Sequence, residues 1–197
     1  MKDNSENSAK AVLRMHMRNL RRQFVRDHPE ADWQAGDKAS EMLAALKFKR
    51  PGVIAVYRAA GNEMDPRPLG ENLIALGWSI ALPACEQFDT PIVFRAWAPG
   101  DRLAPDVMGI AAPLAAAAEV RPDIIIAPVL AYDFFGNRLG QGGGYYDRTL
   151  EALRDQARPP AYVGLAFAAQ EVDQVPVYEH DQRLDAILTE TGYRPFS

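Results

Sequence analysis

The segment Asp123-Ile124-Ile125-Ile126-Ala127 limits the possible folds more than any other part of this chain. Only β-branched residues fill its middle, so it reads as a strand with no face left for water. Such a strand needs cover on both sides. Val53–Tyr57 (VIAVY), Ser79–Leu82, Ile92–Trp97, Tyr162–Phe167 and Leu184–Leu188 are further short apolar runs that read as its neighbours. The cover comes from helical segments set among them. From Ala9 onward, Leu13, Met17, Leu20 and Phe24 form one apolar stripe, and Pro29 closes that helix. Asp32 is placed to N-cap a second helix reaching about Phe48, with Trp33, Ala39, Met42, Leu43 and Leu46 on its buried side. Arg50-Pro51-Gly52 breaks the chain, Pro66–Leu76 suits a helix ended by Gly77, and Tyr146–Leu153 suits another. The Ala-rich stretch Ala111–Ala118 is apolar but carries no period to assign.

Short apolar strands among helices predict a layered α/β/α fold around a mainly parallel sheet. Residues 1–8 are polar and expected to fray, leaving 9–197 as a single domain without internal repeats. In sheets of this type ligands bind beyond the carboxyl ends of the strands. Tyr57–Asp65 and Pro128–Asp147 therefore belong to the expected functional rim.

Composition removes whole classes of function. A lone Cys85 excludes a disulfide framework and a cysteine-based zinc module. His16, His28 and His180 are too scattered for a histidine metal motif. No apolar run approaches the roughly 20 residues of a membrane helix, and the first residues form no signal-peptide core. A net charge of −4 argues against wholesale coating of nucleic acid. A soluble, cytoplasmic protein is expected, with no membrane and no nucleic-acid partner.

The richest stretch is Asp133–Leu150 (DFFGNRLGQGGGYYDRTL), where four glycines fall within Gly140–Gly144. Glycines clustered between a strand and a helix give backbone N–H groups that can surround an anion, aided by the positive end of the helix dipole. Arg138 adds a guanidinium suited to phosphate oxygens. An ordinary flexible connection is the plainer reading, but Arg138, Tyr145, Tyr146 and Asp147 weigh toward phosphate. Neither the dinucleotide fingerprint nor a Walker A loop is present: Tyr145 stands where the former needs glycine, and no Gly-Lys pair exists. On the first helix Lys10, Arg14, Arg18 and Arg22 recur every four residues, Arg21 and Arg26 add to the charge, and no acidic residue falls between Lys10 and Arg26. Most of that face reads as solvated, with the first one or two cations within reach of a phosphate. In Gly61–Pro66, Asp65 reads as the cap of the following helix and Glu63 as a ligand-facing carboxylate. Asp185 is an acid inside an apolar run, where it needs a partner or a metal.

Taken together, Lys10-x-x-x-Arg14, Glu63-Met64-Asp65, Gly136-Asn137-Arg138-Leu139-Gly140-x-Gly142-x-Gly144-Tyr145-Tyr146-Asp147 and the late Asp185 resemble the 5-formyltetrahydrofolate cyclo-ligase (methenyltetrahydrofolate synthetase) family over nearly the whole length. The resemblance implies a fold like that of ribose-phosphate isomerase and coenzyme A transferase domains. It implies an ATP- and Mg²⁺-dependent ligase turning 5-formyltetrahydrofolate into 5,10-methenyltetrahydrofolate, with ADP and phosphate released. By that resemblance Lys10, Arg14, Arg138, Leu139, Gly140, Gln141, Gly142, Gly143, Gly144, Tyr145 and Tyr146 hold ATP. Tyr57, Glu63 and Gln141–Tyr145 face the folate, Arg138 and Tyr145 serve the chemistry, and Asp147 and Asp185 share the magnesium ion. Loss of Arg138 is expected to cost turnover far more than fold. Two positions depart from the family: Gly143, where lysine is frequent, and the surroundings of Met108, where many relatives carry tryptophan. The competing readings are a relative that binds nucleotide or folate without cyclising it, and an RNA-associated module using the basic helix.

Overall fold

The structure, a computed structural model, describes residues 3–196, and of residues 3–7 the backbone only. In chain order it contains α1 (Asp3–Asp27), α2 (Ala31–Gly36), α3 (Ala39–Leu46), β1 (Val53–Ala55), α4 (Arg67–Ala75), β2 (Ser79–Ala84) and β3 (Val93–Trp97). There follow a hairpin of β4 (Leu103–Pro105) and β5 (Ala111–Pro113), then β6 (Ile124–Pro128), and a hairpin of β7 (Ala131–Tyr132) and β8 (Arg138–Leu139). Next come α5 (Tyr145–Arg154), β9 (Ala161–Leu165), a 3-10 turn at Ala168–Gln170, β10 (Ala186–Thr189) and β11 (Gly192–Pro195).

Seven strands form one sheet in the order β11-β10-β9-β6-β1-β2-β3. The five inner strands are parallel, and β11 and β3 close the two edges antiparallel. The isoleucine run lies on β6, near the middle, where the lack of a polar face matches burial on both sides. Ile124 and Ile126 point into a core shared with Ala31, Met42, Leu69 and Leu73 of α2, α3 and α4. Ile125 and Ala127 point the other way, toward Leu150 of α5. Alternate side chains of one strand thus feed both cores, as pleating requires. This is the expected α/β/α layering.

From β1 the chain first adds β2 on one side and later β6 on the other. That reversal leaves a crevice at the carboxyl ends of β1 and β6, the position where open α/β sheets place ligands.

Three local expectations need correction. α1 starts at Asp3, so Asp3–Ser8 are helical rather than frayed, and no proline or glycine interrupts them; Met1 and Lys2 lie outside the described residues. The second helix is two helices. Gly36 packs its backbone on α4, where an added Cβ would stand 2.8 Å from the Pro68 Cβ, and the chain turns there before α3. Asp32 is not a cap. It sits in the first turn of α2, and its Oδ1 accepts the Asp65 N–H at 3.0 Å, tying that helix to the loop after β1. Asp65 stands one residue before Pro66, the N-cap residue of α4, and its Oδ1 accepts the Arg67 N–H at 3.0 Å.

Candidate active site

A pocket of about 460 Å³ opens at that crevice. It is walled by α1, the ends of β2 and β6 with the residues after them, the loop after β1, the β4–β5 turn, the segment from β8 into α5, and the loop at Tyr178 and Asp181. Of the residues singled out from sequence, Lys10, Arg14, Tyr57, Glu63, every residue from Arg138 to Tyr146, and Asp147 line it. Asp185 does not.

The glycine segment is shaped by its neighbours. Gly144 takes φ +65° and stands at the N-cap of α5, a left-handed conformation that side chains other than Asn or Asp rarely adopt. At Gly143 the constraint is space, since a Cβ would lie 2.8 Å from the Tyr145 ring. Among the described residues, no acceptor meets the backbone N–H groups of Gln141, Gly142, Gly143 or Gly144. With the first N–H groups of α5 beside them, they form a row of unspent donors at the pocket wall, suited to an oxyanion.

The cations around this row are already engaged. Lys10 is almost fully buried, with Nζ 2.5 Å from Asp181 Oδ2 and 3.7 Å from the centre of the Tyr178 ring. Arg14 Nε donates to the Gly140 carbonyl at 3.0 Å and packs under Gly142. Arg138 donates through one terminal nitrogen to Asp147 Oδ1 at 2.7 Å, and its guanidinium lies 5.4 Å from the centre of the Tyr162 ring. Burial pulls the Arg138 pKa down, but Tyr162 and Asp147 outweigh it and the net shift is upward, so this guanidinium stays charged. Its side chain is only 7% exposed, and its Nε has no acceptor. Arg138 is therefore part of the fold as well as of the pocket, which revises the expectation that its loss would spare stability.

In the loop after β1, Glu63 accepts the Ala60 N–H at 3.0 Å through Oε2 and meets Gln141 Nε2 at 3.4 Å through Oε1. Tyr57 presents its ring only: its hydroxyl donates to the Met64 carbonyl and holds the loop closed. Burial raises the pKa values of Tyr57 and Tyr146 well above the ordinary phenol value and that of Tyr162 to about 12. All three are neutral near pH 7. The Tyr145 hydroxyl points to Met108 Sδ at 2.9 Å, which fixes Met108 as the wall opposite the glycine segment.

The two aspartates expected to share a metal are not brought together. Asp147, in the first turn of α5, holds Arg138 and the Gln182 N–H with the same oxygen, Oδ1. Asp185 precedes β10, accepts the Tyr162 N–H at 2.7 Å, and lies 3.5 Å from Arg154 near the far end of α5. Arg154 follows Asp147 by seven residues, a rise of roughly 10 Å along the helix. Asp185 thus has its partners at the opposite end of α5 from the pocket, which answers the need of an acid in an apolar run without a metal.

Sequence reasoning missed Asp181 and Asp106 as pocket residues, and placed Arg58 on the expected rim without singling it out. They come from irregular segments that carry no period. With them, the lining has four cationic residues (Lys10, Arg14, Arg58, Arg138) and four acidic ones (Glu63, Asp106, Asp147, Asp181).

Known proteins show the same architecture and pattern. Residues 6–190 match the 5-formyltetrahydrofolate cyclo-ligase family. The chain is 32% identical over 167 residues to the 5-formyltetrahydrofolate cyclo-ligase of Escherichia coli K12, covering 82% of this chain and 91% of that protein. It is 33% identical over 151 residues to that of Haemophilus influenzae, covering 74% and 80%. The NMR structure of Aquifex aeolicus 5,10-methenyltetrahydrofolate synthetase superposes with a TM-score of 0.73 at 27% identity, covering 95% of this chain and 92% of that one. With a pocket at the sheet's switch point, a donor row leading into α5, and matches spanning nearly its whole length, the chain belongs to the 5-formyltetrahydrofolate cyclo-ligase family.

Proposed function

We propose that this protein uses ATP to close 5-formyltetrahydrofolate into 5,10-methenyltetrahydrofolate in the cytoplasm, working as one domain. The observation that carries the reading is the juxtaposition, in one pocket, of unspent N–H donors at the start of α5 with Glu63, which meets Gln141 Nε2 at 3.4 Å. A formamide carbonyl is a poor electrophile, and ring closure has to expel its oxygen. Transfer of the γ-phosphoryl group to that oxygen releases ADP and gives the oxygen a phosphate to leave with. N10 then attacks the formyl carbon and loses its proton, and phosphate departs with the former formyl oxygen.

Phosphoryl transfer asks a protein chiefly for alignment and charge stabilisation. In this reading the N–H groups of Gln141–Gly144 hold phosphate oxygens, with Lys10, Arg14 and Arg138 as the cationic surround and Leu139, Tyr145 and Tyr146 as packing. Glu63, the Tyr57 ring, Gln141 and Tyr145 receive the folate. Because the lining carries as many acids as bases, it cannot by itself neutralise a triphosphate, and this supports a divalent cation as companion. Asp147 fits as its protein ligand: Oδ2 accepts no hydrogen bond among the described residues, and Mg²⁺ binds through one or two carboxylates together with phosphates. Bound Mg²⁺ would supply charge neutralisation to the transferred group.

The test is the absorbance of the methenyl product, followed with and without ATP. Turnover that depends on ATP supports the proposal. Binding of ATP or folate without product would favour the non-catalytic reading.

A further inference from the structure

Three separate parts of the chain meet at the side chain of Gln141. From α1, Arg18 donates to Gln141 Oε1 twice, through a terminal nitrogen at 2.8 Å and through Nε at 3.2 Å. From the loop after β1, Glu63 turns Oε1 toward Gln141 Nε2 at 3.4 Å. Gln141 and Glu63 line the pocket, whereas Arg18 is exposed and does not. Arg18 differs in this from Lys10 and Arg14, which line the pocket themselves.

A guanidinium can only donate, while a primary amide has one end that accepts and one that donates. The two donors of Arg18 therefore decide which end of the Gln141 amide faces α1. The oxygen must face it, so the nitrogen turns toward Glu63. An amide flipped by 180° would set N–H groups against Arg18 and its oxygen against the Glu63 carboxylate. Nε2 carries two hydrogens and Glu63 takes one; among the described residues no acceptor meets the other. A free donor is thus left beside a carboxylate, a pair that matches the N–H and C=O edge of a cyclic amide such as the folate ring carries. We infer that Arg18 is a positioning residue for folate: from outside the pocket it fixes the orientation of the Gln141 amide, and so places that donor next to Glu63. This rests on Gln141 and Glu63 facing the folate, as proposed above.

The experiment measures steady-state kinetics and thermal midpoints for the wild type, Arg18→Met, Arg22→Met, Gln141→Ala, Gln141→Glu, Glu63→Gln and the Arg18→Met/Gln141→Ala double variant. Arg18→Met should raise KM for 5-formyltetrahydrofolate about fivefold, the scale of one exposed contact to a charged group, and leave KM for ATP nearly unchanged. Arg22→Met removes the same charge from an exposed position one residue-turn along α1 and should leave both KM values unchanged, which separates positioning from the general field of the helix. Both arginines are exposed, so neither midpoint should move by more than about 2 °C. Gln141→Glu is the decisive variant. It keeps an acceptor for Arg18, and so keeps the tether to α1, but puts an oxygen where the donor belongs. The folate KM should therefore rise at least as far as in Arg18→Met. In the Gln141→Ala background, Arg18→Met should add little, because the two act on one contact. If Gln141→Ala raises the folate KM and Arg18→Met does not, Arg18 has no such role. A wild-type folate KM in Gln141→Glu would show that amide orientation does not matter and would overturn the inference. If Gln141→Ala and Glu63→Gln both leave the folate KM unchanged while turnover still needs ATP, the placement of folate is wrong and the inference falls with it.

Discussion

Replacing Arg138 by alanine tests two parts of the account at once. Its side chain is 7% exposed, that of Asp147 is 20% exposed, and they meet at 2.7 Å. Alanine leaves Asp147 with the Gln182 N–H on Oδ1 and an emptied space above the Tyr162 ring. Breaking one side of a buried pair costs about 3–5 kcal/mol. At about 2–4 °C per kcal/mol for a chain of this size, the midpoint should fall by roughly 6–20 °C. Turnover should fall further, by about 10²–10³, if the guanidinium meets developing charge as an oxyanion donor does. A companion variant separates the two losses. In Arg138→Ala/Asp147→Asn the carboxylate charge is gone as well, so much of the midpoint should return while turnover stays low. Differential scanning calorimetry and the methenyl absorbance assay read the two quantities. A single variant that melts within 2 °C or so of the wild type would refute the argument that this pair supports the fold. Near-normal turnover in either variant would refute the assignment of Arg138 to the phosphoryl group.

Other expected outcomes follow from single contacts. Asp185→Asn should leave the Mg²⁺ dependence of turnover unchanged, while Asp147→Asn should raise the Mg²⁺ concentration needed for half-maximal rate; a magnesium titration of both variants checks this. Gly143→Lys forces the Tyr145 ring aside, because its Cβ would lie 2.8 Å from that ring. Kinetics should therefore show a severalfold rise in KM for folate, through loss of the Met108 wall, and a smaller change in KM for ATP. Burial first, then Asp106, pushes the Cys85 thiol up to about 11, partly opposed by Arg148. At pH 8 it is protonated, so alkylation by iodoacetamide should be slow in the folded protein and become fast only on unfolding, as mass spectrometry can follow.

The sheet was legible because its strands are short, apolar and β-branched: β1, β2, β3, β6, β9 and β10 all fall on runs visible in the sequence. β7 and β8 have two residues each, and β11 (Gly192–Pro195) holds a glycine, a proline and an arginine, so no period could mark them. Their pairing comes from tertiary contact. The break between α2 and α3 was hidden for a similar reason, since it depends on the backbone of Gly36 pressing on Pro68. In the pocket, the glycine-tyrosine segment announced itself because backbone donors need glycine in sequence as well as in space. Asp181 and Asp106 sit in irregular loops and reach the pocket only through the fold.

Along α1, cations spaced every four residues drift around the helix by about 40° a step and end at Arg22, in solvent, as expected for most of that face. The apolar neighbours of Asp185 call for a partner or a metal, and the fold supplies the partner. Asp185 leads into β10, half-exposed, and its carboxylate accepts the Tyr162 N–H. A backbone donor from the adjacent strand β9 satisfied it, which no pattern within residues 184–188 could reveal.

In the proposed reaction the pocket activates the formyl oxygen by moving a phosphoryl group onto it. The most direct measurement supplies 5-formyltetrahydrofolate carrying oxygen-18 in the formyl group, runs one turnover with ATP, and weighs the inorganic phosphate by mass spectrometry. Each phosphate released should carry one oxygen-18 atom. Unlabelled phosphate, with the label lost to water instead, would show that the oxygen leaves without being phosphorylated and would contradict the account.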